Sequence, residues 1–132
     1  MTDESVFERV RASIAESLAV PRDEIKLDSR MVDDLGADSL DLVDIIFTLE
    51  RKFGINVRET EFNFLTRLDF SSPEVMRDGY LTREVVERLG TWLRGVRESE
   101  ERDKITPRSL FSMITVESIC TVVERRTGGA PP

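Results

Sequence analysis

The chain has 132 residues, of which 39% are hydrophobic and 34% are charged, and its formal net charge is −7. This length and apolar content fit one domain with a substantial core, and the negative charge disfavours binding to nucleic acids while favouring partners with basic patches. With one cysteine, Cys120, and no histidine, the chain cannot build a disulfide framework, a zinc cluster of cysteines and histidines, or a histidine-activated nucleophile.

The polarity of the first residues and the hydropathy of the chain indicate where the protein is expected to work. Residues Met1 to Glu8 are acidic and polar, and no later stretch approaches the length of a membrane span. An acidic surface is also repelled by anionic membranes. We therefore expect a soluble, cytoplasmic protein with no stable membrane insertion. We also expect a monomer.

The first predicted helix begins at Ser5 and is ended by Pro21. Its apolar residues recur at helical spacing at Val6, Val10, Ile14 and Leu18. From Val20 to Asp38 turn-forming residues are mixed with isolated apolar residues, which predicts a long loop held against the core. The predicted anchors of this loop are Ile25, Leu27, Met31, Val32 and Leu35. Loops of this length are uncommon and often functional.

The second predicted helix runs from Leu40 to Lys52. Its inward face consists of Leu42, Ile45, Ile46 and Leu49. Asp38 or Ser39 caps its start, and Gly54 follows its end. Ser39 is therefore predicted to lie at a helix N-terminus.

The region after this helix is expected to consist of shorter elements. A short helix is predicted from Glu59 to Leu68, and residues 71–79 break the chain with serine, proline and glycine. Thr82 caps a further helix that is expected to continue to about Arg97. The inward residues of that helix are Val85, Val86, Leu89, Leu93 and Val96.

The last predicted helix begins after Thr115 and is ended by Gly128 and Gly129. No alternation of apolar and polar residues is long enough to build a sheet. The predicted fold class is therefore all-α, a bundle of three to four main helices with extra short helices. We assign residues 1–126 to one domain and expect residues 127–132 to form a disordered tail.

Ser39 is the most informative residue of the chain. Gly36 permits a sharp approach to the helix and Asp38 turns the chain, so the Ser39 hydroxyl is expected at the positive end of the helix dipole, which favours an anion such as a phosphodiester. The chain has no histidine and no nearby lysine to activate this hydroxyl. Ser39 thus fits an attachment point for another enzyme's chemistry, although Asp38 and Ser39 taken alone are also an ordinary helix cap.

Residues Leu35 to Leu40 read Leu-Gly-Ala-Asp-Ser-Leu. This stretch resembles the phosphopantetheine attachment motif of acyl carrier proteins, whose pattern is Leu-Gly-x-Asp-Ser-Leu. The resemblance extends upstream through Met31 to Asp34 and downstream through Leu49 to Ile55, and it covers about Val6 to Val57. It resumes at Thr115 to Ile119, where Ser118 stands at a position that is commonly acidic.

The resemblance implies a function and a cofactor. Ser39 would carry a covalent 4′-phosphopantetheine arm, which a phosphopantetheinyl transferase attaches from coenzyme A, and Asp38 would help to present the site. The carrier would hold acyl groups as thioesters and deliver them to acyl-activating, condensing or acyl-transfer enzymes in fatty acid, lipid or polyketide-type synthesis. It would act as a cosubstrate and not as an enzyme, with no catalytic residue and no metal ligand of its own.

The second helix is also the predicted docking surface. Every charge between Met31 and Glu50 is negative. Such clustering favours a docking surface, whose electric field steers a basic partner, over the alternative of an ordinary solvated helix face. Three apolar residues, Leu40, Val43 and Phe47, lie partly off the inward face and are either exposed contacts or core residues; the resemblance matches them to positions that meet partner enzymes. The predicted docking residues are Leu40, Asp41, Val43, Asp44, Phe47 and Glu50.

An insertion of about residues 59–106 separates the two regions of resemblance. It carries the aromatic residues Phe62, Phe64, Phe70, Tyr80 and Trp92. Burial against the bundle would stabilise the fold by about 1.5 to 3 kcal/mol for each of these side chains. The insertion is either a structural elaboration, which its amphipathic spacing favours, or a functional device. Such a device would enlarge or cover the cavity for an unusual acyl chain, or select a dedicated partner. Trp92 and Cys120 are expected to be packing residues.

Two other functions stay open on the sequence. The first is an aminoacyl or peptidyl carrier of a natural-product pathway, with the same arm and different cargo; Ala37 is more similar to acyl carriers than to peptidyl carriers. The second is a carrier-like interaction protein whose serine is never modified. An enzyme is disfavoured because the chain lacks activated nucleophiles and metal ligands.

Overall fold

A computed structural model describes residues 4–56 and 60–127, and it confirms the predicted all-α class. Three long helices form the frame, namely α1 (Glu4–Leu18), α2 (Ser39–Phe53) and α7 (Val116–Thr127). The shorter α-helices and strands described between α2 and α7 are α3 (Glu61–Thr66), β1 (Met76–Arg77), β2 (Tyr80–Leu81), α4 (Arg83–Leu89), α5 (Arg94–Arg97) and α6 (Pro107–Ser112), and a 3-10 turn spans Arg102–Lys104. Helix α1 packs against both α2 and α7, so the frame is a three-helix bundle.

The long helices form where the apolar spacing predicted them. The inward face of α2 is buried as predicted, and Gly54 caps its end. The inward residues of α1 lie in the same core: Val6, Val10 and Ile14 are buried, and Leu18 is partly buried. Arg9 joins the two helices, because its Nη2 donates to the Lys52 carbonyl (2.6 Å) and its guanidinium lies 4.1 Å from the centre of the Phe53 ring.

The prediction of one helix from Thr82 to about Arg97 is wrong. Helix α4 ends at Leu89, and α5 begins only at Arg94. Gly90 and Thr91 are weak helix formers, and their carbonyls find tertiary donors: Arg97 Nη1 donates to the Gly90 carbonyl (2.9 Å). Arg125 Nη2, on α7, donates to the Thr91 carbonyl (2.7 Å). The break is stabilised by contacts that local spacing does not reveal.

A small antiparallel hairpin is present that the sequence did not predict. Met76 pairs with Leu81 and Arg77 with Tyr80. The two turn residues, Asp78 and Gly79, both have positive φ (56° and 87°), which is the backbone of a two-residue hairpin turn that Asp-Gly favours. The strands have two residues each, so they are too short to show an alternating pattern.

The insertion is part of the core and not an appendage. Its apolar side chains belong to, or pack against, one buried cluster with those of α1, α2 and α7, except Tyr80, which is 38% exposed. Phe62 is 1% exposed and Trp92 is 3% exposed, and their rings meet edge to face with centroids 5.6 Å apart. This burial supports the structural interpretation of the insertion.

Ion pairs fasten the insertion to α7. Glu61 accepts hydrogen bonds from Arg125 Nη1 (3.0 Å) and Arg126 Nη2 (2.8 Å). Burial raises the pKa of the Glu61 carboxyl, but the hydrogen bonds from Arg126 and Arg125 outweigh burial and hold this pKa below its usual value. The contribution of the pairs to stability is therefore present at neutral pH and is lost as acid protonates Glu61.

Cys120 is buried in the core, as predicted. Burial raises the pKa of its thiol to about 12, and the nearby charges of Glu124 and Glu117 act in the same direction. The thiolate is the reactive form, so we expect a thiol-specific reagent at pH 8 to label Cys120 slowly in the native protein and fully in denaturant. Labelling of the native protein as fast as of the denatured protein would contradict this burial.

Some predictions fall on residues outside the described ranges. Val57, Glu59 and the glycines at 128 and 129 are among them. The prediction that the disordered tail begins at residue 127 is wrong, because Thr127 is the last residue of α7. The domain boundaries stay a prediction. Within residues 4–56 and 60–127, no helix is both long enough and apolar enough to span a membrane.

Candidate functional site

The loop that leads to Ser39 is fastened to the start of α7. The Met31 N–H donates to the Ile114 carbonyl (2.9 Å), and Arg30 forms an antiparallel bridge with Thr115. Of the predicted anchors, Ile25 and Met31 are fully buried, and the other three pack against the core while partly exposed. The loop is therefore a fixed support for the residues that follow it.

The last residues of this loop turn sharply into α2. Gly36 has φ +74°. This is a left-handed backbone conformation that residues other than glycine adopt at a cost of about 1 to 2 kcal/mol. An added Cβ would meet no atom within 4 Å, so the requirement for glycine comes from the backbone and not from space. The Ala37 N–H then donates to the Met31 carbonyl (2.9 Å), and the Ala37 side chain is buried.

Asp38 caps α2, which leaves Ser39 as the first residue of the helix. The Asp41 N–H donates to Asp38 Oδ1 (2.8 Å), and the Asp38 N–H donates to Asp41 Oδ2 (3.1 Å). This reciprocal capping box fixes the first turn. The sequence left the cap open between Asp38 and Ser39, and the structure assigns it to Asp38.

The Ser39 side chain is exposed at the positive end of the α2 dipole. Nothing in the described part of the chain hydrogen-bonds to its hydroxyl. Because the cap uses the Asp38 carboxylate instead, the Ser39 Oγ is free to be substituted. An exposed hydroxyl on a fixed helix start fits the covalent attachment of a phosphodiester-linked arm.

Two side chains near the site have structural roles that the sequence analysis missed. Asp41, predicted only as a docking residue, is also half of the capping box; its spacing of three from Asp38 was an available signal. Asp33 accepts a hydrogen bond from Ser112 Oγ (2.5 Å), which ties α6 to the loop. Ser112 lies 79 residues away in sequence, so no local pattern could have indicated this contact.

The predicted docking residues lie on one helix with different exposures. Leu40 is 78% exposed and Phe47 is 46% exposed, so these two are not core residues. Val43, Asp41 and Glu50 are half-buried. Asp44 is exposed and accepts a long hydrogen bond from Ser17 Oγ (3.4 Å). Apolar and acidic side chains thus alternate along a surface that begins at Ser39.

Three aspartates along this surface have no cationic partner within the described residues. Among the described residues, Asp38, Asp41 and Asp44 form no ion pair, whereas Asp33 pairs with Arg30 at 3.5 Å. The described ranges also hold no group of three or more histidine, cysteine or acidic side chains placed to bind a metal ion. The α2 surface is therefore a concentrated negative patch beside an exposed hydroxyl.

Comparison with known proteins gives one matching family model and several similar curated proteins. The family described as "Phosphopantetheine attachment site" matches residues 8–70, a range that includes Ser39. The match does not reach the second region of resemblance at Thr115 to Ile119.

The similar proteins are named acyl carrier protein. The one from Campylobacter hominis is 50% identical over 56 residues, which are 42% of this chain and 71% of the relative. The one from Petrotoga mobilis is 43% identical over 61 residues, 46% of this chain and 72% of the relative. The one from Campylobacter jejuni subsp. doylei is 37% identical over 65 residues, 49% of this chain and 84% of the relative.

Proposed function

Because the chain belongs to the acyl carrier protein family, whose members carry a covalent 4′-phosphopantetheine group, we propose that Ser39 is the attachment residue and that the protein delivers acyl groups to partner enzymes. The observation that carries the proposal is the exposed Ser39 hydroxyl at the start of a capped helix. When attached, the arm supplies a terminal thiol that holds an acyl group as a thioester. The partners would belong to fatty acid, lipid or polyketide-type synthesis.

The side chains around Ser39 have distinct roles in this proposal. Asp38 holds the first turn of α2, so that an approaching transferase meets the hydroxyl in one orientation. Leu40, the most exposed of the docking residues, offers an apolar contact next to the attachment point. Phe47, two turns further along α2, offers a second contact. The protein itself performs no catalysis and is a substrate of its partners.

The acids of α2 would steer enzymes with basic patches. Exposed charges speed association at low salt, because the attraction acts before contact is made. The carrier is expected to work in the cytoplasm, which the polarity and charge of the sequence favour, and to be a monomer. Its first partner would be the phosphopantetheinyl transferase, followed by acyl-activating, condensing or acyl-transfer enzymes.

Reversing one charge of the patch tests docking. We expect Asp44→Lys to slow modification by a phosphopantetheinyl transferase about five- to tenfold at low salt, and the difference to shrink as salt screens the charges. Glu84→Lys makes the same change in charge at an exposed position of α4 and should stay within twofold of the unaltered protein. Equal rates for the two variants at low salt would contradict docking through α2.

A loading assay tests the class of cargo. The protein carrying the phosphopantetheine arm is incubated with an acyl-activating enzyme and, separately, with an amino acid-activating enzyme. The mass of the intact protein is then measured. We expect a gain of an acyl group only. Loading by the amino acid-activating enzyme alone would make the chain an aminoacyl carrier, and a protein that never accepts the arm would be an unmodified interaction protein.

A further inference from the structure

The insertion forms a groove that the attachment site does not explain. This groove, of about 750 Å³, lies between α3 and α4 and reaches the end of α7. Its lining includes Phe64, Arg67, Arg88, Trp92 and Arg126, and we call it the arginine groove. Trp92 at its floor is buried, while Arg67, Arg88 and Arg126 at its rim are exposed, so the groove is shallow and open to solvent.

Two guanidinium groups of the groove have no acceptor among residues 4–56 and 60–127. Arg67 and Arg88 form neither a hydrogen bond nor an ion pair from their side chains with any residue of the described ranges. Arg88 is held in place by the Phe64 ring, whose centre lies 3.8 Å from its guanidinium carbon. A guanidinium stacked in this way keeps its N–H edge available for a carboxylate.

The acidic residues of the groove already have partners. Glu61 is bound by Arg125 and Arg126. Asp69 Oδ1 accepts hydrogen bonds from the N–H (2.9 Å) and the hydroxyl (2.6 Å) of Ser71. The hydrogen bonds from Ser71 do not cancel the charge of Asp69, so the lining holds three arginines against two acids, a small positive excess on a chain whose net charge is −7 and opposite in sign to the α2 surface.

We infer that the arginine groove binds an acidic segment of a partner protein. Its open shape suits an extended or helical polypeptide better than an enclosed small molecule, and its partly buried Phe64 and Leu68 can receive an apolar side chain between the acids. The negative chain as a whole repels a long polyanion such as nucleic acid. A partner that has both a basic patch and an acidic segment would be attracted twice, by the acids of α2 and by the arginines of the groove. Binding of the acidic segment in the groove would not require modification of Ser39.

A fluorescence titration of the full chain tests the inference. Trp92 is the single tryptophan and lies in the groove, so it reports binding directly. The probe is a synthetic peptide of glutamate and leucine, and its comparison peptide has lysine in place of each glutamate. We expect the acidic peptide to give a saturable change and the basic peptide to give none. The double variant R67Q/R88Q should weaken binding by at least about tenfold, because two charge-assisted contacts are lost.

A matched variant and a second probe separate the alternatives. Arg83→Gln removes an exposed arginine of α4 that pairs with Glu87 and does not line the groove; it should leave binding within twofold. Circular dichroism checks that each variant is folded. The inference is overturned by the absence of a saturable change, by equal binding of R67Q/R88Q and the unaltered protein, or by inorganic phosphate binding as tightly as the peptide, which would indicate a simple anion site.

Discussion

Ser39→Ala is expected to abolish attachment of the phosphopantetheine arm while the fold stays intact. The Ser39 side chain is exposed, and no residue of the described chain hydrogen-bonds to its hydroxyl, so its removal should change the free energy of unfolding by less than about 0.5 kcal/mol. The cap of α2 belongs to Asp38 and is untouched. Intact-protein mass after incubation with coenzyme A and a transferase measures attachment, and circular dichroism measures the fold.

The matched control is another exposed serine. Ser71→Ala removes a hydroxyl in the insertion that donates to Asp69, and should leave attachment at the rate of the unaltered protein. If Ser39→Ala still gained the arm, the site would be assigned wrongly. If Ser39→Ala unfolded, the hydroxyl would have a structural role that its exposure does not suggest.

Phe62→Ala should destabilise the protein by about 3 to 5 kcal/mol, because it empties a fully buried position and removes the edge-to-face contact with Trp92. Phe47→Ala makes the same chemical change at a position that is 46% exposed on α2, and it should cost less than about 1 kcal/mol. Urea denaturation, followed by both circular dichroism and Trp92 fluorescence, measures the two free energies.

This comparison also tests whether the insertion and the bundle unfold together. Since both contribute to one buried cluster, the two probes should give coincident transitions. If Phe62→Ala does not fold, Phe62→Leu is the milder variant and should cost less than about 1.5 kcal/mol. Two separate transitions, or a smaller loss for Phe62→Ala than for Phe47→Ala, would show that the insertion is not part of the core.

The parts of the fold that local chemistry controls could be predicted from the sequence. Helix α2 is one of them, because its apolar spacing, its cap at Asp38 and Gly54 lie within one short stretch. The position of Ser39 follows from the same signals. The exposure of Leu40 and Phe47 was left open, because it depends on which other elements pack against α2.

Several features that the sequence did not reveal depend on residues outside the element concerned. The end of α4 is stabilised by Arg97 and by Arg125 of α7, which bond the carbonyls of Gly90 and Thr91. The pairing of Glu61 with α7 likewise joins residues more than sixty positions apart. Such contacts form only once the bundle brings the elements together, and no periodicity within one segment encodes them.

The most direct test of the central claim is to locate the added mass within the chain. The unaltered protein is incubated with coenzyme A and a phosphopantetheinyl transferase, digested, and sequenced by tandem mass spectrometry. We predict one phosphopantetheine group per chain, carried on Ser39. The absence of any added mass, or an added group on a different residue, would contradict the account.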